Sequence, residues 1–401
     1  MRKKILAVLV SGILSLSLMA CGSSGGSVGG SEDGAASSGG TETSGDAIVI
    51  GTISPNTGTL AAYGEAVVNS MNLAVKEINK EGGVLGKDLK LDSLDDKGDP
   101  TEGANAFNKL AGDSNVCAII GSVTSGVTAG LAPLADESKI TMLTPTATAD
   151  TITTTDDYVF RTGFKDSYQG KMATKFAAEK LKVKKVAVLY ASGDAYSSGL
   201  REAFEAAAKD YGMEIVAEES SSSTDDTEFS SQLTNIAASG AEFLFAPYYY
   251  NAVGPYIIPQ ARSCGFEGTI MGADGFDGTV GTMTDDKSLY NDCYFTNHYA
   301  ADDTSETVQK FVKNYTDKYG SDSLNALGAL AYDSVYMLKA AIEKAGSTDR
   351  DAIRDAMSGI SFEGVTGKFT LDETGTPEKS VAIIEFKDGK AVWNSTLEPD
   401  K

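Results

Sequence analysis

The sequence has few of the residues that most enzymes and metalloproteins depend on. It holds 401 residues but only one histidine, His298, and four cysteines, at positions 21, 117, 264 and 293. The cysteines show none of the close pair spacings of a metal site. No phosphate-loop, Gly-x-Ser-x-Gly or His–carboxylate pattern accompanies the histidine, and Ser125 has no assignable base. The sequence therefore argues against an enzyme, and we expect neither a metal nor a cofactor.

Positive charge is also scarce. The chain carries 34 Lys and Arg against 56 Asp and Glu, a formal net charge of −22. Nucleic-acid binding needs basic patches that neutralise phosphates, so nucleic acid is excluded as a partner. After residue 46, no apolar stretch approaches the roughly 20 residues that a membrane-spanning helix needs. We expect the folded part of the chain to lie in water.

The first 46 residues differ in composition from the rest. A positive segment at residues 2–4 and an apolar run at 5–18 predict a signal peptide over residues 1–20. The following Leu18-Met19-Ala20-Cys21 resembles a bacterial lipobox, in which Cys21 becomes the lipidated N-terminus; the alternative is an ordinary signal peptide with an unmodified cysteine. Residues 22–46 are almost all Gly, Ser, Thr, Ala and acids, which predicts a flexible linker. We therefore expect a lipid-anchored protein on the extracellular face of the cell membrane.

From residue 47 onward, short β-rich runs alternate with amphipathic helices. This alternation predicts an α/β fold with mainly parallel sheets covered by helices on both faces. Roughly 355 residues exceed what one core supports, which indicates two Rossmann-like lobes. A β tail after the last helices indicates several crossings between the lobes, and hence a hinge of several strands. The predicted strands are 47–54, 89–94, 117–121, 140–143, 185–190, 213–218, 242–246, 269–272, 293–298, 380–386 and 391–394.

Hydroxyl- and glycine-rich turns follow three strands of the first predicted lobe, at residues 54–64, 121–126 and 144–149. Ligands of parallel sheets bind beyond the carboxyl ends of the strands, where helix N-termini present free N–H groups. Hydroxyls and amides suit a carboxylate without a buried cation. The simpler interpretation is that Ser125 or Thr148 only caps a helix.

The second predicted lobe offers an acid and aromatic rings at its strand ends. Asp274 follows the strand 269–272 among glycines and can receive an ammonium group, although Asp274 or Asp277 could instead only form an Asx turn. Tyr196 follows the strand 185–190, and tyrosines 248–250 follow the strand 242–246. Packing in a surface loop is the alternative for these rings.

An ordered set of motifs resembles the leucine–isoleucine–valine-binding family of type I periplasmic binding proteins, from residue 47 to the C-terminus. The matching pieces are Gly51-x3-Pro55-x2-Gly58-x5-Gly64, Asp95-Asp96-x2-Asp99-Pro100, Ile119-Ile120-Gly121-x3-Ser125, Thr144-Pro145, Phe160-Arg161, Gln260-Ala261-Arg262-x2-Gly265 and Gly272-x-Asp274-Gly275. The resemblance implies a first lobe of residues 47–165 and 297–376, and a second of residues 166–296 and 377–401.

The resemblance also implies the ligand contacts. An α-carboxylate would contact Ser125, Thr148 and the backbone of Ala147, and an α-ammonium would contact Asp274. The aromatic residues of the cleft would be Tyr63, Tyr196 and one of Tyr249 or Tyr250. The implied function is the capture of a small amino acid, branched-chain aliphatic by default, through closure of the hinge. A monomer then delivers the amino acid to an ABC permease. The alternatives are a sensor acting on a separate receptor, or a binder of a related amide or carboxylic acid.

Three cysteines remain once Cys21 is assigned to lipid. Cys117 lies in the apolar run 116–120, which predicts an inert core residue. Cys264 and Cys293 could form a disulfide in an oxidising compartment or stay free, and the sequence leaves both possibilities open.

Overall fold

The computed structural model describes residues 47–153 and 158–399. The predicted signal peptide, Cys21 and the linker lie outside these residues. Within them, no helix is both long and apolar enough to cross a membrane.

The first sheet is entirely parallel and has the strand order β2-β1-β3-β4-β5. Its central strands are buried at every position but Val49 because helices cover both faces, as in other parallel sheets. The strands are β1 (Ile48–Ser54), β2 (Leu89–Asp95), β3 (Val116–Ile120), β4 (Thr141–Thr144) and β5 (Val159–Arg161).

The second sheet has seven strands in the order β14-β13-β10-β9-β8-β6-β7. Five of them are parallel, and β13 and β14 extend the sheet antiparallel beyond β10. A separate antiparallel hairpin is formed by β11 and β12. The strands are β6 (Lys185–Ala191), β7 (Glu214–Ser221), β8 (Phe243–Phe245), β9 (Thr269–Gly272), β10 (Cys293–Asn297), β11 (Ser361–Gly364), β12 (Gly367–Thr370), β13 (Val381–Lys387) and β14 (Lys390–Leu397).

Helices cover both sheets, and their apolar faces form the core. The helix α1 buries residues at helical spacing, among them Val67, Met71, Ala74 and Ile78, and packs along α10. The helices are α1 (Ala61–Lys80), α2 (Pro100–Ala111), α3 (Ser125–Ser138), α4 (Asp166–Glu179), α5 (Ala195–Asp210), α6 (Ser230–Ala238), α7 (Tyr250–Ala252), α8 (Ile258–Ser263), α9 (Glu306–Tyr319), α10 (Ala326–Ala345) and α11 (Arg350–Met357).

The chain passes between the two lobes at three places. It leaves the first sheet after β5 and enters α4, leaves the second sheet after β10 to form α9, α10 and α11, and returns to the second sheet at β13. The helices α9 and α10 pack against α1 of the first lobe, and α11 packs against β3 and β4. This arrangement confirms the predicted two-lobed α/β fold.

Four parts of the fold were not predicted: β5, α4, α11 and the β11–β12 hairpin. The sequence of α4 lacks a clear apolar stripe because the helix buries polar residues, including Asp166 and Gln169, as well as apolar ones. The sequence from residue 253 to 262 predicts a single helix, and this prediction is wrong. A π-helical turn at Val253–Ile257 and α8 occupy the range after the short α7, and Gly254 lies in the π turn directly against Thr282.

The described cysteines are free thiols. Cys117 is buried, as predicted, and burial raises the pKa of its thiol to about 11. Cys293 is also buried, and its pKa is raised by burial to about 12, whereas Cys264 is partly exposed. The possibility of a Cys264–Cys293 disulfide is therefore not realised in this structure.

Candidate ligand-binding site

A small cavity lies between the carboxyl ends of the two sheets. Both lobes contribute to its wall. The lining residues are Tyr63, Val123, Thr124, Ser125, Thr146, Thr148, Tyr196, Tyr249, Asp274, Gly275 and Leu327.

The first-lobe wall is built on the N-terminus of α3, which begins at Ser125 and has no acid in its first turn. A helix N-terminus of this kind favours a negatively charged group. The Ser125 Oγ accepts the backbone N–H groups of Thr148 and Ala149, both at 3.2 Å, which leaves the serine's own hydrogen available for donation. The Thr148 hydroxyl is buried and has no hydrogen-bond partner among the described residues.

The loop that carries Thr148 is held from behind by a buried arginine. Arg161 donates to the carbonyl oxygens of Ala147 at 3.3 Å and Ala149 at 2.9 Å, and to the Thr153 hydroxyl at 3.0 Å. Burial lowers the pKa of Arg161 to about 10, so the guanidinium stays charged at neutral pH. The guanidinium therefore fixes the loop without entering the cavity.

Ala147 is the residue for which a backbone contact to a carboxylate is predicted. Its backbone N–H donates to the Thr144 hydroxyl at 3.1 Å, and the residue lies outside the cavity lining. In this structure the turn after β4 directs that amide inward to its own strand, and the ligand contact of the Ala147 backbone stays a prediction. Ser125 and Thr148, the other two residues predicted to contact a carboxylate, line the cavity.

The second-lobe wall contains the predicted acid. Asp274 is buried, and both of its carboxylate oxygens have protein partners. Its Oδ1 accepts from the Gln169 side-chain amide at 2.9 Å, and its Oδ2 lies 3.1 Å from the His298 Nε2. These two contacts fix the orientation of the carboxylate at the cavity wall.

Three of the predicted tyrosines form the aromatic part of the wall. Tyr196 and Tyr249 stack with ring centroids 4.9 Å apart, and the Tyr196 hydroxyl accepts the N–H of Gly275 at 2.8 Å. Tyr63, from the first lobe, donates its hydroxyl hydrogen to the Gly275 carbonyl at 2.5 Å. The Tyr249 hydroxyl is buried without a hydrogen-bond partner among the described residues.

Tyr250 has a different position, which separates it from Tyr249. Its hydroxyl donates to the Thr59 carbonyl at 3.0 Å and accepts the Ala62 N–H at 3.3 Å, and both partners belong to the first lobe. Its ring packs edge-on against Tyr63 with centroids 4.7 Å apart. Of the two tyrosines, Tyr249 lines the cavity and Tyr250 bridges the lobes outside it.

Asp277 also bridges elements that are distant in sequence. Its Oδ2 accepts from the Asn297 side-chain amide at 2.8 Å and from the backbone N–H of Ala326, the first residue of α10, also at 2.8 Å. Burial raises the pKa of its carboxyl group above the ordinary value. The alternative that Asp277 only forms an Asx turn is wrong, because these contacts join the second lobe to α10.

A second acid near the cavity was not predicted. Asp166, the first residue of α4, is buried, and neither of its carboxylate oxygens has a hydrogen-bond partner among the described residues. Burial raises its pKa well above the ordinary value, and the Asp274 charge adds to this shift.

Three further residues at or beside the cavity were not predicted from the sequence: Gln169, His298 and Leu327. The first of these lies on the unpredicted α4, and the other two carried no sequence signal for a site.

The lining has a clear division of charge. Its described residues include no lysine or arginine. They supply hydroxyl groups, tyrosine rings and one carboxylate. Positive potential comes from the N-terminus of α3 on one side, and negative charge comes from Asp274 on the other. Such a site is complementary to a small zwitterion held between two lobes, which defines the class as a two-lobed binding protein.

Comparison with known proteins places the chain in a family. Residues 47–391 match the periplasmic binding protein family, and the chain belongs to it. The family membership confirms the resemblance seen in the sequence. It also confirms that the chain is a binding protein rather than an enzyme.

Individual relatives agree with this assignment. The chain is 34% identical to the Leu/Ile/Val-binding protein BraC3 of Rhizobium johnstonii, over 86% of this chain and 93% of the relative. It is 33% identical to Leu/Ile/Val-binding protein homolog 3 of Brucella melitensis, over the same shares. Among solved structures, it is similar to the branched-chain amino acid transporter substrate-binding protein LivJ of Streptococcus pneumoniae in complex with isoleucine, with a TM-score of 0.81 and 32% identity. That match covers 88% of this chain and all of the LivJ chain.

Proposed function

We propose that this protein binds a branched-chain aliphatic amino acid as a zwitterion and delivers it to an ABC importer. The observation that carries the proposal is the placement of the α3 N-terminus and Asp274 on opposite walls of one small cavity. The names of relatives at 32–34% identity, which refer to leucine, isoleucine and valine or to branched-chain amino acids, support the choice of ligand class.

Each wall has a separate role in the proposed complex. The hydroxyls of Ser125 and Thr148 and the first amides of α3 bind the α-carboxylate, and Asp274 binds the α-ammonium. The rings of Tyr63, Tyr196 and Tyr249, together with the Leu327 side chain, surround the aliphatic group. The described lining holds no lysine or arginine, so a second negative group on the ligand would be buried without a cation, at a cost of several kcal/mol.

The proposed mechanism is closure of the two lobes around the ligand. The lobes comprise residues 47–165 with 297–376, and residues 166–296 with 377–401. In an open form each lobe offers half of the contacts, so a ligand that touches both stabilises the closed form. Closure excludes water from the cavity, which strengthens the few polar contacts made there. The closed surface is then available for recognition by the permease.

We further propose that the protein works as a monomer on the extracellular side of the membrane and that a lipid on Cys21 holds it there. The apolar run at residues 5–18 and the Leu-x-Ala-Cys sequence support this anchor, and the polar linker supports a folded part held away from the lipid surface.

Binding is tested with a panel of purified ligands. Thermal unfolding is followed with leucine, isoleucine, valine, lysine, glutamate and 4-methylpentanoate, because a ligand at 100 times its dissociation constant adds about 2.7 kcal/mol to the free energy of unfolding. We expect the three aliphatic amino acids to give the largest shifts. A panel in which lysine or glutamate stabilises the protein more than any aliphatic amino acid would overturn the proposed ligand. Loss of labelled-leucine uptake from cells lacking the gene tests delivery separately.

A further inference from the structure

Asp274 can bind an ammonium group only while its carboxylate remains charged and points into the cavity. Two residues outside the cavity lining hold it: Gln169 at Oδ1 and His298 at Oδ2. His298 is the single histidine of the sequence, and the proposed function assigns it no ligand contact. What we infer for His298 rests on that proposed function.

The His298 ring is held firmly. Its side chain is fully buried, and the ring stacks on Phe164 with centroids 3.8 Å apart and planes 23° from parallel. Gly163 lies against the same ring, since a Cβ at that position would come within 3.1 Å of the His298 Cε1. His298 lies on the connection from β10 to α9, and Phe164 lies on the connection from β5 to α4. The ring is therefore fixed where two of the connections between the lobes meet.

The surroundings of the ring favour its neutral form. Burial lowers the pKa of His298, the adjacent Asp274 opposes that change, and the charge of Lys379 from the third connection adds to it. The Nδ1 has no hydrogen-bond partner among the described residues, so an imidazolium would bury an unpaired N–H. A neutral ring with its hydrogen on Nε2 donates to Asp274 and leaves the carboxylate with its full negative charge.

We propose that His298 is a positioning residue that makes the site selective for ligands with an ammonium group. It orients the Asp274 carboxylate toward the cavity through a neutral hydrogen bond and does not cancel its charge. A lysine or arginine in the same place would hold the carboxylate equally well but would neutralise it, and the attraction for an ammonium would be lost. The selectivity of the cavity thus depends on a residue that does not contact the ligand.

The test compares leucine with 4-methylpentanoate, which has the same carboxylate and side chain but no ammonium. We expect His298→Leu to weaken leucine binding by about tenfold or more, since a hydrogen bond to a charged group is lost. Binding of 4-methylpentanoate should change by less than about twofold. His298→Gln places a neutral N–H donor near the Nε2 position, and we expect it to restore most of the leucine affinity.

Thr296→Val is the matched control. Thr296 is a buried residue of the adjoining strand β10, its hydroxyl has no partner among the described residues, and it lies outside the cavity lining. We expect this variant to bind both ligands as the wild type does. If His298→Leu does not fold, as judged by thermal unfolding, His298→Asn replaces it, because the shorter amide does not reach Asp274.

Two outcomes separate the inference from the function on which it rests. Equal weakening of leucine and 4-methylpentanoate by the His298 variants, or failure of glutamine to restore leucine binding, would overturn the positioning role. Absence of leucine binding by the wild type would instead overturn the proposed ligand.

Discussion

The proposed clamp predicts that a residue outside the cavity controls ligand affinity. Tyr250 lies outside the cavity lining, yet its hydroxyl makes two hydrogen bonds to the first lobe, at Thr59 and Ala62. Tyr250→Phe keeps the ring and its edge-on contact with Tyr63 and removes only these bonds. Because both bonds join the two lobes, the proposed opening would break them, so their loss should disfavour the closed form and leave the open form unchanged.

The expected magnitude follows from the geometry. A net contribution of about 0.5–1.5 kcal/mol per hydrogen bond gives about 1–3 kcal/mol for the pair, and the long 3.3 Å bond to Ala62 favours the lower half of that range. At 1.4 kcal/mol per factor of ten, leucine affinity should fall by about five- to thirtyfold. The loss should appear mainly as faster dissociation, since the encounter with the open form is unaffected.

Tyr248→Phe provides the matched control, two residues away. The Tyr248 hydroxyl bonds to the Ser221 hydroxyl at 2.9 Å, and both residues belong to the second lobe. This variant should lower the melting temperature without changing leucine affinity. Calorimetry and stopped-flow dissociation measure both variants. Wild-type affinity in Tyr250→Phe, or an equal loss in Tyr248→Phe, would refute the closure mechanism.

Three further predictions concern charge and the anchor. Asp274→Asn should weaken leucine binding at least about thirtyfold by calorimetry, because removing one partner of a desolvated charge pair typically costs about 2–5 kcal/mol; near wild-type affinity would reject the ammonium contact. Burial raises the pKa of Asp166, so its contribution to stability is lost as the pH rises from the ordinary carboxyl pKa to the folded-state pKa, and it is recovered on acidification. Asp166→Asn should therefore raise the melting temperature most at high pH, and a difference that does not shrink on acidification would contradict this reasoning. Cys21→Ser should release the protein from membranes or leave it unprocessed, and identical detergent partitioning of the two forms would argue against lipidation.

Much of the fold could be predicted because its strands are buried and its helices are amphipathic. Strands such as β3, with five consecutive buried residues, are visible as short apolar runs between turn residues. Once parallel strands are recognised in the sequence, the residues that follow their carboxyl ends become the candidates for ligand contact. Ser125, Thr148 and Asp274 follow such strands, and all three line the cavity.

The parts that could not be predicted depend on side-chain direction and on contacts between distant segments. Tyr249 and Tyr250 are neighbours of one chemical type, and only the turn into α7 decides that one faces the cavity and the other faces Thr59. Helix α4 buries Asp166 and Gln169 against the site, so its sequence lacks the apolar periodicity that identifies a helix. The buried polar residues beside the site are therefore the reason that α4 could not be predicted from its sequence.

The turn from Asp274 to Asp277 joins ligand recognition to the contact between the lobes. Asp274 faces the cavity, the Gly275 carbonyl accepts from Tyr63 of the first lobe, and Asp277 accepts from the first amide of α10. A ligand that holds Asp274 therefore holds the same short segment that meets the first lobe at two further points. The contacts of the ligand and the contacts of closure strengthen each other because they share one backbone, so a ligand that lacks the ammonium should also close the lobes less completely.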